Sequence, residues 1–287
     1  AVVHDVEAAD LDNDGKIDMV TVGHGIAKLW KQVTPASWTS RNISSMAGNG
    51  GISFGDFDND GFRDIATPTG WMRNPHDTIN GTWIFYPINQ ASGEECLVAD
   101  LNGDGRLDIL TCPAHTRGAM VWFECPATPT SPTWTRRVID ASMGAHHPEA
   151  ADFDGNGTLD ILMGLELVDL SVYVNNGGAA PTFTKNQLDN KGGHNARAGD
   201  LDGDGFTDVL GCDFIGHAPA RIYINQLTGP IPCYANCDGV GGLTGNDFQC
   251  FLNAFVAGAV TANCDGVGGL TANDFQCFLD KFVAGCP

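Results

Sequence analysis

The stretch DLDNDGKIDMV, residues 10–20, places four aspartates within nine positions around one glycine. Carboxylates at such short distances repel one another unless a cation lies between them. Calcium takes about six to eight oxygen ligands, and alternate side chains of a tight loop can converge on one ion. Glycine at the sixth position permits the sharp turn that such a loop needs. The stretch therefore predicts a calcium loop, with a solvated acidic turn as the alternative.

The same pattern recurs four times, as DFDNDGFRDIA from residue 56, DLNGDGRLDIL from 100, DFDGNGTLDIL from 152 and DLDGDGFTDVL from 200. Asp or Asn stands at positions one, three, five and nine of every copy, and Gly stands at position six. Because a solvated acidic turn gives no reason for five copies of one pattern, we predict about five structural Ca²⁺ ions, with weaker sites where Asn102 and Asn156 replace carboxylates. The predicted ligands are Asp10, Asp12, Asp14, Asp18, Asp56, Asp58, Asp60, Asp64, Asp100, Asn102, Asp104, Asp108, Asp152, Asp154, Asn156, Asp160, Asp200, Asp202, Asp204 and Asp208.

The residues that flank the loops predict β-strands. Position two is always large and apolar, position ten is aliphatic or Met, and the residue before each loop is Ala or Gly. Each loop therefore joins two short strands of a hairpin. Successive copies are offset by 46, 44, 52 and 48 residues, which accommodates about four short strands and their turns. Third strands are predicted in AKLW, TWIFYPI, MVWFECP, SVYVNN and RIYINQ, whereas copies two and five have little sequence for a fourth strand.

Four-stranded units with small residues on the first strand predict blades that converge on a central axis, as in a β-propeller. The D-x-D-x-D-G-x-x-D loop with its aliphatic follow-on resembles the FG-GAP or VCBS repeat, and the resemblance covers about residues 1–230. It implies calcium-binding propeller blades, commonly on secreted or surface proteins that adhere or bind glycans, and no single activity. We therefore expect a mainly β chain with a five-bladed, or five-repeat, β-propeller over residues 1–230.

Residues 233–287 follow a different pattern and predict a second domain. NCDGVGGLTGNDFQCFLNAFVAG and NCDGVGGLTANDFQCFLDKFVAG are near-identical copies offset by 27 residues. Each predicts an EF-hand-like calcium loop followed by an amphipathic helix, and two such helices can bury their apolar faces against each other. The apolar positions of the first helix are Phe248, Phe251, Leu252, Phe255 and Val256, repeated at Phe275, Phe278, Leu279, Phe282 and Val283. The predicted ligands are Asn236, Asp238, Thr244, Asp247, Asn263, Asp265, Thr271 and Asp274.

Six of the ten cysteines lie after residue 230, a density typical of a disulfide framework in an oxidising compartment. Equivalent placement suggests the pairs Cys237–Cys250, Cys264–Cys277 and Cys233–Cys286, although six cysteines allow fifteen pairings. The paired loop-helix tail resembles a type I dockerin, which implies a domain that binds a cohesin-like partner. The cysteines are extra to that resemblance, so we expect a small disulfide-rich α-helical domain. Valine at loop position five offers only a backbone oxygen, so we expect at most two weaker calcium sites here. A cap on the propeller is the alternative role of the tail.

Composition limits the possible partners. A formal net charge of −20 argues against nucleic acid, because no basic patch could neutralise phosphates. No apolar run reaches the length of a membrane span. Val2 and Val3 already read as strand. We therefore expect a processed, exported chain that is secreted, extracellular or at the cell surface.

No nucleophile elbow, phosphate loop, HExxH motif or dinucleotide fingerprint occurs in the sequence. Six residues before the calcium loops stand His4, Glu94, His146 and His194, with Gly50 in the second copy. These positions are expected at one mouth of the central channel, where they could bind a transition metal or act in general acid–base catalysis. Alternatively, each His caps a strand and hydrogen-bonds its neighbour.

We therefore expect a calcium-binding adhesion or structural module. Its propeller would bind a glycan or a surface protein, and its tail would bind a cohesin-like partner or a second copy. A self-assembling filament or matrix subunit is the first alternative. A carbohydrate-active enzyme with a histidine-lined propeller mouth is the second.

Overall fold

Five antiparallel sheets follow one another along the chain and form a five-bladed β-propeller. The computed structural model describes residues 3–23, 25–45, 50–114, 118–142, 146–165, 169–213, 219–227, 235, 237, 243–259, 262–264 and 270–284. Within every blade the strands pair in chain order, so each blade is a simple meander. The predicted mainly β architecture is confirmed.

The first three blades contain four strands each. Blade one contains β1 (Asp5–Ala9), β2 (Asp18–Gly23), β3 (Ile26–Thr34) and β4 (Ser37–Ser45). Blade two contains β5 (Ser53–Gly55), β6 (Asp64–Thr67), β7 (Gly70–Arg73) and β8 (Ile84–Pro87). Blade three contains β9 (Glu95–Ala99), β10 (Asp108–Cys112), β11 (Met120–Glu124) and β12 (Thr135–Asp140).

The last two blades differ in strand number. Blade four contains β13 (Glu149–Ala151), β14 (Asp160–Leu165), β15 (Asp169–Asn175) and β16 (Phe183–Asp189). Blade five contains β17 (Asn195–Gly199), β18 (Asp208–Cys212) and β19 (Arg221–Tyr223). Within the described residues the fifth sheet has three strands, as its short sequence predicted.

Every acidic loop joins the first and second strands of a blade, as predicted. The small residue before the loop pairs with the aspartate at position nine, for example Ala9 with Asp18 and Gly55 with Asp64. The same register holds in the other three blades. The repeated sequence pattern therefore corresponds to one repeated hairpin geometry.

The third and fourth strands of blade two were predicted wrongly, because a fourth strand is present where little sequence for one was expected. The segment TWIFYPI contains the fourth strand, β8, and the third strand is the short β7. Thr67 pairs with Gly70, so β6 and β7 are joined by a two-residue turn. Gly70 has a φ of 156°, and a Cβ there would lie 2.3 Å from the carbonyl oxygen of Tyr86. Glycine therefore permits a close hairpin here, which the strand spacing of the other copies did not predict.

Apolar side chains fill the seams between consecutive blades. Four hydrophobic clusters join blade one to two, two to three, three to four and four to five. Leu11 and Ile65 meet in the first of these clusters, and Leu101 and Ile161 meet in the third. The residue at loop position two therefore packs toward the following blade, and the residue at position ten packs toward the preceding blade.

The tail contains two helices, α1 (Gly245–Val256) and α2 (Ala272–Ala284). Disulfides join Cys237 to Cys250 and Cys264 to Cys277, which confirms two of the predicted pairs. The third pair, between residues 233 and 286, lies outside the described residues. The rings of Phe251 and Phe278 stack at 4.0 Å, so the two helices bury each other's apolar faces as predicted. Val256 and Val283, which share the helical spacing, are almost fully exposed instead.

Candidate metal centres and the channel mouth

The aspartate at loop position one closes the loop through a hydrogen bond to its backbone. Its Oδ2 accepts a hydrogen bond from the backbone N–H of the position-six glycine at 2.8–3.0 Å in all five copies. The glycines have φ values of 81–87°, in the left-handed region that other residues avoid. The carboxylates involved are those of Asp10, Asp56, Asp100, Asp152 and Asp200.

The aspartate at position nine is buried and ties three strands together. Its Oδ1 accepts a backbone N–H from near the end of the third strand at 2.7–2.9 Å in every blade. In blades two to five its Oδ2 accepts the N–H of the position-two residue at 2.8–3.2 Å. These residues are Asp18, Asp64, Asp108, Asp160 and Asp208, and all five are buried.

Three carboxylates converge in four of the five loops. Oxygen atoms from positions one, three and nine lie within 4.8 Å of one another in loops one, two, four and five. Loop three has the same backbone pattern but carries Asn102 at position three, so its corresponding oxygen belongs to an amide. The convergent groups are Asp10, Asp12 and Asp18; Asp56, Asp58 and Asp64; Asp152, Asp154 and Asp160; and Asp200, Asp202 and Asp208.

The position-five side chain is not part of these convergent groups. Its Oδ1 accepts the backbone N–H of position seven at 2.7–3.0 Å in each copy. The residues are Asp14, Asp60, Asp104, Asn156 and Asp204. One oxygen of each therefore shapes the loop.

The donor set fits a hard divalent cation. Oδ1 of Asp12 and Oδ1 of Asp58 are buried and have no hydrogen-bond partner among the described residues. Basic side chains already contact these loops: Lys31 pairs with Asp12 and Asp14, and Arg73 pairs with Asp58 at 2.6 Å. Oxygen-only groups of this kind suit calcium or magnesium better than metals that prefer nitrogen or sulfur.

The buried carboxylates are costly without a compensating charge. The pKa of Asp64 is raised to about 8, mainly by burial and in smaller part by the neighbouring Asp58 and Asp56 carboxylates. Burial likewise raises the pKa of Asp108 to about 8, with Asp100 and Asp104 adding to the effect. A cation in the loop would favour the ionised form of each.

Four of the eight predicted tail ligands cap helices. Thr244 Oγ1 accepts the N–H of Asn246 at 3.2 Å, and the Asp247 carboxylate accepts the Thr244 N–H at 2.7 Å. Thr271 and Asp274 repeat the arrangement. This capping box satisfies the first N–H groups of each helix. Asn263 lies among the described residues, whereas the positions of Asn236, Asp238 and Asp265 lie outside them.

The predicted mouth residues occupy equivalent backbone positions. The N–H groups of His4, Glu94, His146 and His194 each donate to a carbonyl of the second strand, at 2.8, 2.9, 3.3 and 3.1 Å. The structure brings the rings of His146 and His194 to a centroid separation of 4.5 Å. The Glu94 carboxylate instead accepts the Ala114 N–H at 3.0 Å.

The sequence analysis did not predict a group of charged, mainly acidic residues on the first strands. We call it the axial cluster: Asp5, Glu7, Glu95, Glu149 and Arg197. Glu95 Oε1 lies 3.7 Å from His146 Nδ1, and Arg197 Nε lies 3.2 Å from Glu149 Oε1. Burial, followed by the Asp5 charge, raises the pKa of Glu95 to about 8 and that of Glu7 to about 7. The charged residues on the first strands are the sequence signal that could have revealed the group.

A second missed feature consists of asparagines after the third strands. Asn74 Nδ2 donates to the carbonyl of Leu11, and Asn175 Nδ2 donates to that of Leu101, at 2.7 and 2.8 Å. Asn225 makes the same bond to Phe153. Each amide therefore links a blade to the loop of the preceding blade. The hairpins differ in length, so the asparagines do not stand at a constant distance from the loops.

The comparison with protein-family models agrees with this geometry. The model of the FG-GAP-like repeat family matches residues 5–67 and 100–163. The two ranges begin at or near the first strand or loop of blades one and three and end in the second strand of the following blade. Over these two ranges the propeller carries FG-GAP-like repeats. This supports the resemblance that the repeated loop indicated.

One solved structure similar to this chain is that of an Agrocybe aegerita lectin, described as specifically recognising non-reducing terminal N-acetylglucosamine. The sequences are 20% identical, and the match covers 77% of this chain and 66% of that chain, with a TM-score of 0.49. No curated protein matches the chain. Among the described residues, neither helix has the length and apolar character needed to cross a membrane.

Proposed function

We propose that this chain is an extracellular adhesion or structural module whose FG-GAP-like propeller is stabilised by calcium. The observation that carries the proposal is the convergence of three carboxylates in four loops, with buried oxygens of Asp12 and Asp58 left without a hydrogen-bond partner among the described residues. A calcium ion would neutralise and be coordinated by the converging carboxylates of a loop. The loop belongs to the hairpin where the position-nine aspartate ties three strands of the blade together. The role of the ion in this proposal is structural.

The extracellular assignment rests on chemistry. Two disulfides in the short tail suit an oxidising compartment. Calcium loops with three or four acidic residues are readily filled where calcium is abundant. A net charge of −20 would be reduced by about two for each bound ion.

Calcium binding can be tested by titration and thermal unfolding. At a free calcium concentration about one hundred times Kd, one filled site adds about 2.7 kcal/mol to the free energy of unfolding. We expect titration calorimetry to detect binding and chelation to lower Tm by several degrees. Asp12→Asn and Asp58→Asn should each weaken one site, because they remove a converging carboxylate. Asp77→Asn is the matched control, since the Asp77 carboxylate accepts hydrogen bonds from Asn80 and Ile79 of its own turn and belongs to none of the convergent groups.

No heat of binding and no change of Tm with calcium would refute the structural role of the ion. If calcium does stabilise the propeller, binding of the loaded protein to glycan arrays and to intact cell surfaces is the test of adhesion. The proposed partner is a glycan or a surface protein, and the tail is a second candidate contact for a protein partner. Polysaccharide turnover that disappears in His146→Ala would overturn the binding-module proposal in favour of an enzyme.

A further inference from the structure

The seam between blade five and blade one differs from the other four. Each hydrophobic cluster of the propeller is shared by two consecutive blades. No cluster formed by the described residues joins blade five to blade one. The first and last blades therefore each have one side that is not buried by the packing seen elsewhere in the propeller.

On blade five, the exposed side carries the residues that the other blades bury. Leu201 at loop position two is 46% exposed, whereas its four counterparts are buried. Leu210 follows position ten and is 38% exposed, although the equivalent residues Val20, Ala66, Leu110 and Leu162 are fully buried. Ile222 pairs with Leu210 on the same side and is 60% exposed. We call these three residues the blade-five face.

Blade one exposes the opposite half of such a seam. Its position-ten residue, Met19, is only partly buried, whereas Ile65, Ile109, Ile161 and Val209 are buried against the preceding blade. Val6 and Ile26 pair with Thr21 and Gly23, so they lie on the same side of the sheet as Met19. They are 52% and 42% exposed. Val6, Met19 and Ile26 form the blade-one face.

The two faces are complementary halves of one further seam. In every internal seam, position two and the residue after position ten meet position ten of the next blade, and the two end faces present these same residue classes. Terminal repeats of solenoid-like proteins usually carry a polar outer side that keeps them soluble. Here both outer sides carry exposed apolar residues beside one cation each, Arg197 on blade five and Lys28 on blade one, and exposed apolar patches mark interaction sites.

We propose that the blade-five face of one molecule packs against the blade-one face of a second copy of this chain. The contact continues the blade-to-blade packing already present four times within the propeller. A second copy supplies the missing half of the seam at each end face. One polar contact of the internal seams also has a counterpart here. Gln32 stands in blade one where Asn74 stands in blade two, so its amide is placed to reach the Leu201 carbonyl of the neighbour. Such a contact joins two different faces, so it produces a chain or a closed ring of copies.

Light scattering coupled to size-exclusion chromatography, in calcium and over a range of protein concentrations, tests the proposal. We expect a mass above the 30.3 kDa monomer that rises with concentration. The double variants Val6→Asp with Ile26→Asp and Leu210→Asp with Ile222→Asp each place charges in one half of the contact. Each should weaken association by about tenfold or more, because a buried unpaired charge is costly.

Mixing the two double variants gives the sharpest result. Each retains one intact face, so an equimolar mixture should form a dimer of twice the monomer mass and grow no further. Val138→Asp is the matched control, because Val138 is 51% exposed on the outer strand of blade three. It should associate like the wild type. Circular dichroism and the calcium-dependent Tm establish that each variant is folded, independently of association.

Several results would overturn the proposal. A wild-type protein that stays at the monomer mass at every concentration would do so, even if calcium raises its Tm as proposed above. Double variants that associate like the wild type, or a mixture that stays monomeric, would place the contact elsewhere. Dispersal of the assembly by Val256→Asp with Val283→Asp, with no effect of the blade variants, would assign it to the tail.

Discussion

Replacing Asp160 by alanine is expected to destabilise the propeller even when calcium is absent. Asp160 is buried, its Oδ2 accepts the Phe153 N–H at 2.8 Å, and its Oδ1 accepts the Asn175 N–H at 2.7 Å. Each hydrogen bond to a charged acceptor contributes about 1.5–3 kcal/mol. Burial raises the pKa of Asp160, so removal of the carboxylate recovers part of the cost of burying it. A net loss of about 3 kcal/mol follows.

Thermal and denaturant unfolding in excess chelator would measure this loss. For a propeller of this size, about 3 kcal/mol lowers Tm by roughly 6–12 °C. Asp154→Ala is the comparison, because Asp154 is exposed and accepts only from Asn156 of the same loop. It should leave the chelated protein nearly unchanged and reduce only the stabilisation by calcium. Equal, small effects of the two variants in chelator would refute the hydrogen-bonding role of Asp160.

Three further predictions concern other parts of the chain. The pKa of Glu95 is about 8 in the folded protein, above its ordinary value of 4.5. The proton on Glu95 therefore contributes stability that is fully present below about pH 4.5 and is lost as the pH rises through 8. Glu95→Gln should therefore match the wild type near pH 5 and exceed its stability at pH 8, as unfolding curves will show, whereas Glu124→Gln on the outer strands should show no such gain. Asn175→Ala should cost about 2 kcal/mol, because it removes the bond to the Leu101 carbonyl and leaves a buried acceptor, and denaturant unfolding measures it. Cys237→Ser with Cys250→Ser opens a link across 13 residues and should cost the tail about 3 kcal/mol, seen as faster hydrogen exchange in α1 while the propeller Tm is unchanged.

The hairpins could be predicted because their determinants are local. Position one binds the loop backbone, and the position-six glycine adopts a left-handed φ, so both constraints act within a few residues. The position-nine aspartate is different, because its Oδ1 accepts a hydrogen bond from a residue about 14–17 positions away in most blades. The aspartate could be recognised as a ligand, but its role in tying three strands together required the fold.

Features that join different blades could not be predicted from the sequence. The Asn74 and Asn175 amides reach carbonyls 63 and 74 residues earlier in the chain, and nothing near them indicates such partners. The axial cluster likewise gathers Asp5, Glu95 and Arg197 from three blades. The blade-two error has a local cause, since β6 ends two residues earlier in its repeat than β2 does in blade one, and the third strand therefore begins earlier.

The end faces show why an identical pattern can have different consequences. Leu201 and Leu101 occupy the same loop position, and Leu210 and Leu110 follow the same aliphatic position. The burial of each depends on a neighbour that the repeat itself does not encode, namely the next blade. Blade three has that neighbour, and blade five does not have one packed in the same way. If selection acted only on an isolated propeller, polar substitutions at Leu201 and Leu210 would carry no penalty. Apolar residues at these two positions are therefore the expected property of a surface that another blade covers.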